Sequence, residues 1–417
     1  MLVAPAAAGR FALLRNRPLL TLMLGHFTVD LYGGLLPVLY PVLTGAFKLN
    51  LQTVGLVTLA YSGVGSLSQP IFGWLADRYG TRFIGLALLW TASTFATIGF
   101  APTFPVLLLL AAVAGLGSGM YHPYGAVSAS AVIPERQRNT AMSVYVTGGT
   151  YGAALGPLLG AALFTLLGLH GTALMIIPGA LSALWLLAEM RSIALPRRQP
   201  RTRAQISAAA PVPLLPLCAV ILVMMARSWT VLSIQAFVPS WYTSLGYGPS
   251  FYGPLATTLV LASAIGAISA GSLADRYGRR TVTITSLVLS VPAILLFAQF
   301  TGPIAFVTAG LVGFLAASTG PLMLVMAQQL MAGRAGMASG LLMGLGFAAG
   351  ALGVPVMGWL ADHFGFLVAL RLQAVVTLLS IAVAWLLPSE GFLRDLSRST
   401  VTASPATPPA LAISEKR

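Results

Sequence analysis

Long apolar runs alternate with short polar breaks along almost the whole chain. Twelve runs stand out, near residues 19–40, 52–74, 83–101, 105–128, 139–164, 171–190, 214–240, 250–273, 281–300, 304–331, 337–360 and 366–387. Each is about as long as a helix needs to cross a bilayer, and in hydrocarbon a single segment satisfies its own backbone only as a helix. The pattern predicts an all-α integral membrane protein. Between the sixth and seventh runs, Arg197, Arg198, Arg201 and Arg203 sit among Pro, Ser and Ala, the composition of a linker. The expected division is therefore a six-helix half (1–190), a linker (191–213), a second six-helix half (214–388) and a Ser-, Thr- and Pro-rich tail (389–417) read as disordered.

Two of the polar breaks are nearly the same peptide. Gly73-Trp-Leu-Ala-Asp-Arg-Tyr-Gly-Thr-Arg82 returns 198 residues later as Gly271-Ser-Leu-Ala-Asp-Arg-Tyr-Gly-Arg-Arg280, matching at eight of ten positions. Without a gap, the same offset lays Pro41 on Pro239, Gly115 on Gly313, Pro123 on Pro321, Gly152 on Gly350 and Pro157 on Pro355. A repeat that keeps its helix-bending and helix-packing residues in register keeps its helix boundaries too. One half-molecule has been duplicated.

Composition reaches the same class. Apolar residues make up 57% of the chain and charged ones 8%, with a mean hydropathy of +0.88, against about 25% charged in a soluble domain. The net charge of +14 suggests nucleic acid until the charges are placed. Of the 23 Lys and Arg, 20 lie in the N-terminus, alternate loops and the tail, while the opposite loops hold only Lys48. That asymmetry predicts both termini in the cytoplasm and a lipid bilayer, not nucleic acid, as partner. Arg10, Arg15 and Arg17 precede a span long enough to stay in the membrane, so no cleavable signal is expected. Cys218 is the single cysteine, which excludes a disulfide framework or a multi-cysteine metal site. No Walker loop, H-E-x-x-H or G-x-S-x-G occurs, so neither an enzyme nor a cofactor is expected.

Few residues carry chemistry inside the spans. Asp30 is the one carboxylate set deep in a predicted helix, and His26 lies four residues before it, on the same face. An intramembrane carboxylate is costly unless paired, hydrated or protonated, so Asp30 is a functional candidate by default. Its alternative role is a strut between helices. Arg227 sits midway along the seventh run, too deep to snorkel to either surface. Arg371 lies about five residues into the last run, within reach of Asp362 or the interface, and reads as structural. His122 precedes Pro123 near the end of the fourth run, at a depth matching that of His26. It is a candidate for proton relay or substrate contact, or a packing residue at a helix kink.

The decapeptide G-x-L-A-D-R-x-G-R-R resembles the loop signature of the major facilitator superfamily, which stands between helices 2 and 3 and again between helices 8 and 9. The resemblance covers nearly the whole chain and implies twelve helices in two pseudo-symmetric bundles. It also implies a gating role for Gly73, Asp77, Arg78, Gly80 and Arg82, with Asp77 capping helix 11 across the interface to lock an outward-facing state. Gly271, Asp275, Arg276, Gly278 and Arg280 would do the same in the other half. Helices 1 and 7 line the central cavity in this fold, so the resemblance places Asp30 and Arg227 face to face. Gly152, Gly156, Pro157 and Gly160 resemble the G-x-x-x-G-P-x-x-G signature of antiporter-type members, an expected hinge that closes the inner side against helix 8. His26-x-x-x-Asp30, Tyr40-Pro41 and His122-Pro123 resemble the fosmidomycin-resistance type of bacterial efflux transporter. That group often has a glutamate after its H-P, and here Tyr124 follows.

These features make a secondary transporter the expected function, a monomer in the bacterial plasma membrane. It would exchange protons, held at Asp30 with His26, Arg227 and His122, for small amphiphilic or antibiotic-like substrates leaving the cell. Candidate cavity residues are Tyr32, Tyr61, Tyr121, Tyr145, Tyr151, Trp229, Gln235 and Gln328, a set with more aromatics than amides. Proton-coupled uptake of a small organic acid gripped by Arg227, or a receptor without transport, are the competing readings.

Overall fold

The computed structural model describes residues 16–132, 138–191, 212–332 and 334–402, and these are helical with no strand among them. In the first half the helices are α1 (Arg17–Phe47), α2 (51–79), α3 (Ile84–Thr97), α4 (Phe104–Ala131), α5 (Arg138–Leu167) and α6 (Ile176–Glu189). The second half has α7 (Leu214–Ser244), α8 (Pro249–Tyr277), α9 (Arg279–Gln299), α10 (305–330), α11 (335–364) and α12 (366–384). Among the described residues, eight stretches are long and apolar enough to cross a membrane. One of them, Met337–Ala384, folds at Gly365, whose φ of 80° and ψ of 161° separate α11 from α12. Most of the linker and the tail beyond 402 lie outside the described residues.

Local chemistry sets the ends. Asn16 caps α1 by accepting from the Leu19 N–H at 3.0 Å, and Asn50 caps α2 through Thr53 at 2.8 Å. Gly80 and Gly278 close α2 and α8 at φ of 79° and 84°, a left-handed conformation that disfavours any side chain. The duplicated decapeptide is therefore a duplicated helix stop.

The repeat is also a packing repeat. A methyl group on Gly115 would strike the Tyr61 carbonyl, and one on Gly313 would strike the Leu259 carbonyl, the same contact 198 residues on. Along α5, Gly148, Gly152 and Gly156 let the backbone of α1 approach at Met23, Phe27 and Gly34. The expected hinge residues divide between two neighbours. The glycines Gly152 and Gly156 pack on α1 within their own half, while Pro157, with Ala154 and Ala161, meets α8 as expected of the motif.

That α5–α8 seam belongs to the side of the molecule away from the termini, where the halves are joined. Thr257 donates to the Ala154 carbonyl at 2.8 Å, Gly55 packs on Pro355, and Tyr40 meets Phe237 with ring centroids 5.5 Å apart. At the rim, Asp362 ends α11 and accepts the N–H groups of Leu51 and Gln52 at 2.9 and 2.8 Å, a carboxylate on the N-terminus of α2. On the terminal side the core divides. Leu217, Val223, Met326, Leu342 and their neighbours form a cluster of second-half residues alone. The far side is one core and the terminal side two, so the halves are joined away from the termini and separate towards them.

Three of the expected features find their place here. Arg371 pairs with Gln299 at 3.3 Å, leaving Asp362 to α2. The start of the tail, read as disordered, is a helix, α13 (Glu390–Thr402), whose Glu390 receives the Arg279 N–H at 2.9 Å and its guanidinium at 3.3 Å. Arg280 donates to the Trp385 carbonyl at 2.6 Å, a contact within its own half; the lock expected of the two gating loops belongs to the opposite state, closed on the terminal side.

An exposed carboxylate on a helix N-terminus contributes about 0.3–1 kcal/mol. Asp362→Ala should therefore shift the population about two- to five-fold towards opening at that rim. Spin-label distances between the α2 and α11 rims read this directly, with a broadened, longer distribution expected in the variant.

Candidate functional site

α1, α4 and α5 bring three ionisable groups together at mid-depth. His26 and Asp30 lie one turn apart on α1. Asp30 places Oδ2 3.3 Å from His26 Nε2 and Oδ1 3.3 Å from His122 Nε2. On its other edge, His26 Nδ1 donates to the Tyr145 carbonyl at 2.9 Å. The His26 ring stacks on Tyr145 with centroids 4.3 Å apart and meets His122 edge-on at 5.4 Å. Gly149 of α5 backs the cluster, where a Cβ would fall 2.6 Å from His26 Nε2 and strike Asp30 Oδ2. The absence of a side chain at that point is what admits the carboxylate.

Proton accounting follows from the geometry. Nδ1 of His26 already carries a hydrogen, directed at a carbonyl. A hydrogen bond between Nε2 and Oδ2 needs one more, on either the ring or the carboxyl group. The pair so bonded holds a proton that can be given up.

Asp30 and His122 line a cavity of about 270 Å³ between the halves. Its two walls differ. The first half contributes the polar Tyr61, Ser62, Ser66, Gln69 and Ser118 together with apolar Val29, Leu36 and Pro157, whereas the second contributes Leu232, Val238, Leu259, Val260 and Phe347 with a single amide, Gln235. A π-helical turn at Leu59–Gly63 of α2 carries Tyr61 and Ser62 into the wall.

Of the predicted cavity residues, Tyr61 and Gln235 are in place. The others are not lining. Tyr32 is buried and donates to the Met175 carbonyl at 2.8 Å, and Tyr121 donates to Leu22 at 2.9 Å, behind His26. Tyr145 backs His26, and Tyr151 is exposed. Trp229 packs against Gly353 of α11, and Gln328 donates to Ser339 at 2.8 Å.

The expected Asp30–Arg227 pairing is absent. Arg227 donates to the Ala317 carbonyl at 2.5 Å, where α10 is interrupted between Ala316 and Gly320, and Gly320 leaves room for the guanidinium. A broken helix frees carbonyls, and a buried arginine is a suitable donor for one. Its Nε is buried with no hydrogen-bond partner among the described residues. In the first gating loop, the Arg78 guanidinium lies 5.4 Å from the Trp74 ring and Arg82 lies 4.5 Å from Phe83, while the Asp77 side chain lies outside what the structure describes. Asp275 and Arg276 flank a surface hollow with Glu390 and Arg394.

Gln69, Ser66, Ser118, Gly149 and Phe347 escaped the sequence reading. The repeat offered one clue, since Gly149 falls on Phe347 at the 198-residue offset, a space-making residue opposite a space-filling one.

The model of the Major Facilitator Superfamily matches residues 22–232 and again 216–414, one match to each half. The chain belongs to the major facilitator superfamily. It is similar to the fosmidomycin resistance protein of Escherichia coli K12, at 28% identity over 87% of this chain and 91% of that protein. It is also 30% identical to the uncharacterized MFS-type transporter YfnC of Bacillus subtilis 168, over 89% of this chain and 92% of that one. Among solved structures, a bacterial homolog of the human lysosomal transporter Spinster, in an inward-facing and occupied conformation, superposes with a TM-score of 0.72 at 17% identity, covering 94% and 99% of the two chains. The fucose:proton symporter FucP of Escherichia coli shares the fold at a TM-score of 0.60 and 15% identity, over 88% and 98%. The protein is a multi-pass membrane transporter of this superfamily, a class that carries small molecules across membranes and does not transform them.

Because Gly149 borders both Asp30 and His26, Gly149→Ala should push the cluster apart while leaving the helices intact. Transport should fall at least about ten-fold, with a melting temperature close to that of the unmutated chain. Gly45→Ala, with nothing within 4 Å of the added carbon, is the matched control and should transport normally.

Proposed function

We propose that this transporter is a proton-coupled exporter of small amphiphilic compounds, with Asp30, His26 and His122 as its proton site. The observation that carries the proposal is a carboxylate held between two imidazoles on the wall of the cavity between the halves. A membrane-embedded ionisable cluster that borders the substrate cavity can exchange a proton for a substrate when the cavity changes sides.

The two-faced cavity supports the substrate class. A polar or cationic head finds the hydroxyls, amide and carboxylate of the first half, while an apolar body finds Leu232, Leu259 and Phe347 of the second. The full-length relative named for fosmidomycin resistance supports export. Uptake of an organic acid is the competing reading, with Arg227, which gives one terminal nitrogen to the Ala317 carbonyl and keeps a buried Nε without a partner among the described residues, as the anion clamp.

In the proposed cycle the protein works as a monomer in the bacterial plasma membrane with both termini in the cytoplasm. Substrate enters from the terminal side, and its head, held beside Asp30 by the hydroxyls and amide of the first half, displaces the proton inward. The gate held by Asp362 and the α5–α8 seam then opens. Release to the outside lets Asp30 take a proton from that side, and the protonated form relaxes back.

The test is a pair of measurements in liposomes. Asp30→Asn should abolish substrate accumulation driven by a proton gradient, by at least about ten-fold, while exchange of substrate down its own gradient continues. Equal loss of both activities overturns the coupling role and leaves Asp30 as a substrate-binding or structural group.

A further inference from the structure

We infer that His26, Asp30 and His122 form a binding site for a divalent first-row transition-metal ion of the zinc, cobalt or nickel class. The inference stands apart from the direction and coupling proposed above. Its first support is geometric. One ligand atom from each of the three residues can be chosen so that all lie within 4.8 Å of one another, and both Asp30–imidazole separations are 3.3 Å. A tetrahedral ion with bonds of about 2.0–2.2 Å separates its ligands by roughly 3.3–3.6 Å, so the two Asp30–imidazole pairs already stand at that separation, and closure on an ion needs only the two imidazoles, within 4.8 Å of each other, to draw together.

The second support is the partner of His26. A metal-binding imidazole commonly donates its distal N–H to a carbonyl or carboxylate, which fixes the tautomer and aims the other nitrogen at the ion. The bond from His26 Nδ1 to the Tyr145 carbonyl does this, and the neutral ring then presents the Nε2 lone pair to the cluster. Third, Gly149 keeps the space open, since any Cβ there would crowd both Nε2 of His26 and Oδ2 of Asp30.

The donor set also selects among ions. Two imidazoles and one carboxylate favour zinc, cobalt, nickel or copper(II) over magnesium or calcium, which prefer an all-oxygen shell. Three protein ligands leave at least one coordination position free. Asp30 and His122 both border the cavity, so that position faces the substrate space. A metal held there would be accessible to a donor group on a bound solute. It would also exclude the mobile proton, because Nε2 of His26 cannot carry a hydrogen and ligate at once.

The experiment uses the purified full-length protein, freed of any affinity tag and stripped with a chelator. Cobalt(II) is titrated while the visible absorption of four-coordinate cobalt is followed, and zinc is then added in competition. One equivalent of saturable cobalt, displaced by zinc, is expected. Asp30→Asn and His122→Gln should each weaken binding by more than the roughly 10–100-fold that loss of an outer partner costs. A double variant at the remaining histidines, His170→Ala with His363→Ala, should bind like the unmutated chain. X-ray absorption of the zinc-loaded unmutated protein should find two imidazoles and no sulfur, a readout that needs no variant to fold. Absence of saturable binding, binding that survives Asp30→Asn and His122→Gln, or loss in the double variant overturns the site. Proton flux measured in excess chelator separates the two proposals. Flux without metal binding defeats only the metal site, and metal binding without flux defeats only the coupling.

Discussion

A carboxylate at mid-membrane has to be compensated, and the first half of this protein is arranged around that requirement. Asp30 is met on each oxygen by an imidazole at 3.3 Å, and one imidazole is oriented by a carbonyl of a third helix. Small residues make this possible. Gly148, Gly152 and Gly156 draw α5 against α1, and Gly149 between them leaves the gap that the cluster fills. Charge compensation thus depends on backbone approach, and a substitution that separates α1 from α5 removes the polar partners as well as the packing.

Duplication makes the specialisation visible. At the 198-residue offset His26, Asp30, His122 and Gly149 correspond to Met224, Ser228, Gly320 and Phe347. The second half keeps the helix contacts, with Gly350 against Ser228 and Gly313 against Leu259, but has replaced the ionisable set with apolar or small side chains. Phe347 fills the space on one side of the cavity that Gly149 opens on the other. The scaffold is shared by the two halves, whereas the chemistry belongs to one.

Much of this was legible in the chain. Span length, the repeated decapeptide and the in-register prolines carry the fold, because hydrophobic length and backbone-special residues are local signals. Asp30, His26 and His122 stood out because ionisable residues are rare in an apolar run. Which aromatic faced the cavity was not legible, since the spans are apolar around their whole circumference and give no phase. Tyr32 and Tyr121 are therefore core, and Ser66 and Gln69 lining, for reasons only packing decides. Symmetry also misled. Arg227 shares its depth with Asp30, yet the break in α10 offered a nearer partner in the Ala317 carbonyl. Asp362 was weighed only against Arg371, when its partners are two backbone N–H groups some 310 residues away along the chain. The amphipathic start of the tail was hidden by the Ser- and Thr-rich sequence that follows it.

The central claim is that a proton at the Asp30 cluster and a solute in the adjoining cavity compete. The direct measurement is proton release on binding, with detergent-solubilised protein in weak buffer, a pH-indicator dye, and a panel of cationic and neutral amphiphiles. The account predicts that a compound which binds releases protons in proportion to occupancy, and that Asp30→Asn binds without release. Saturable binding with no proton release from the unmutated protein, or release that persists in Asp30→Asn, would contradict it.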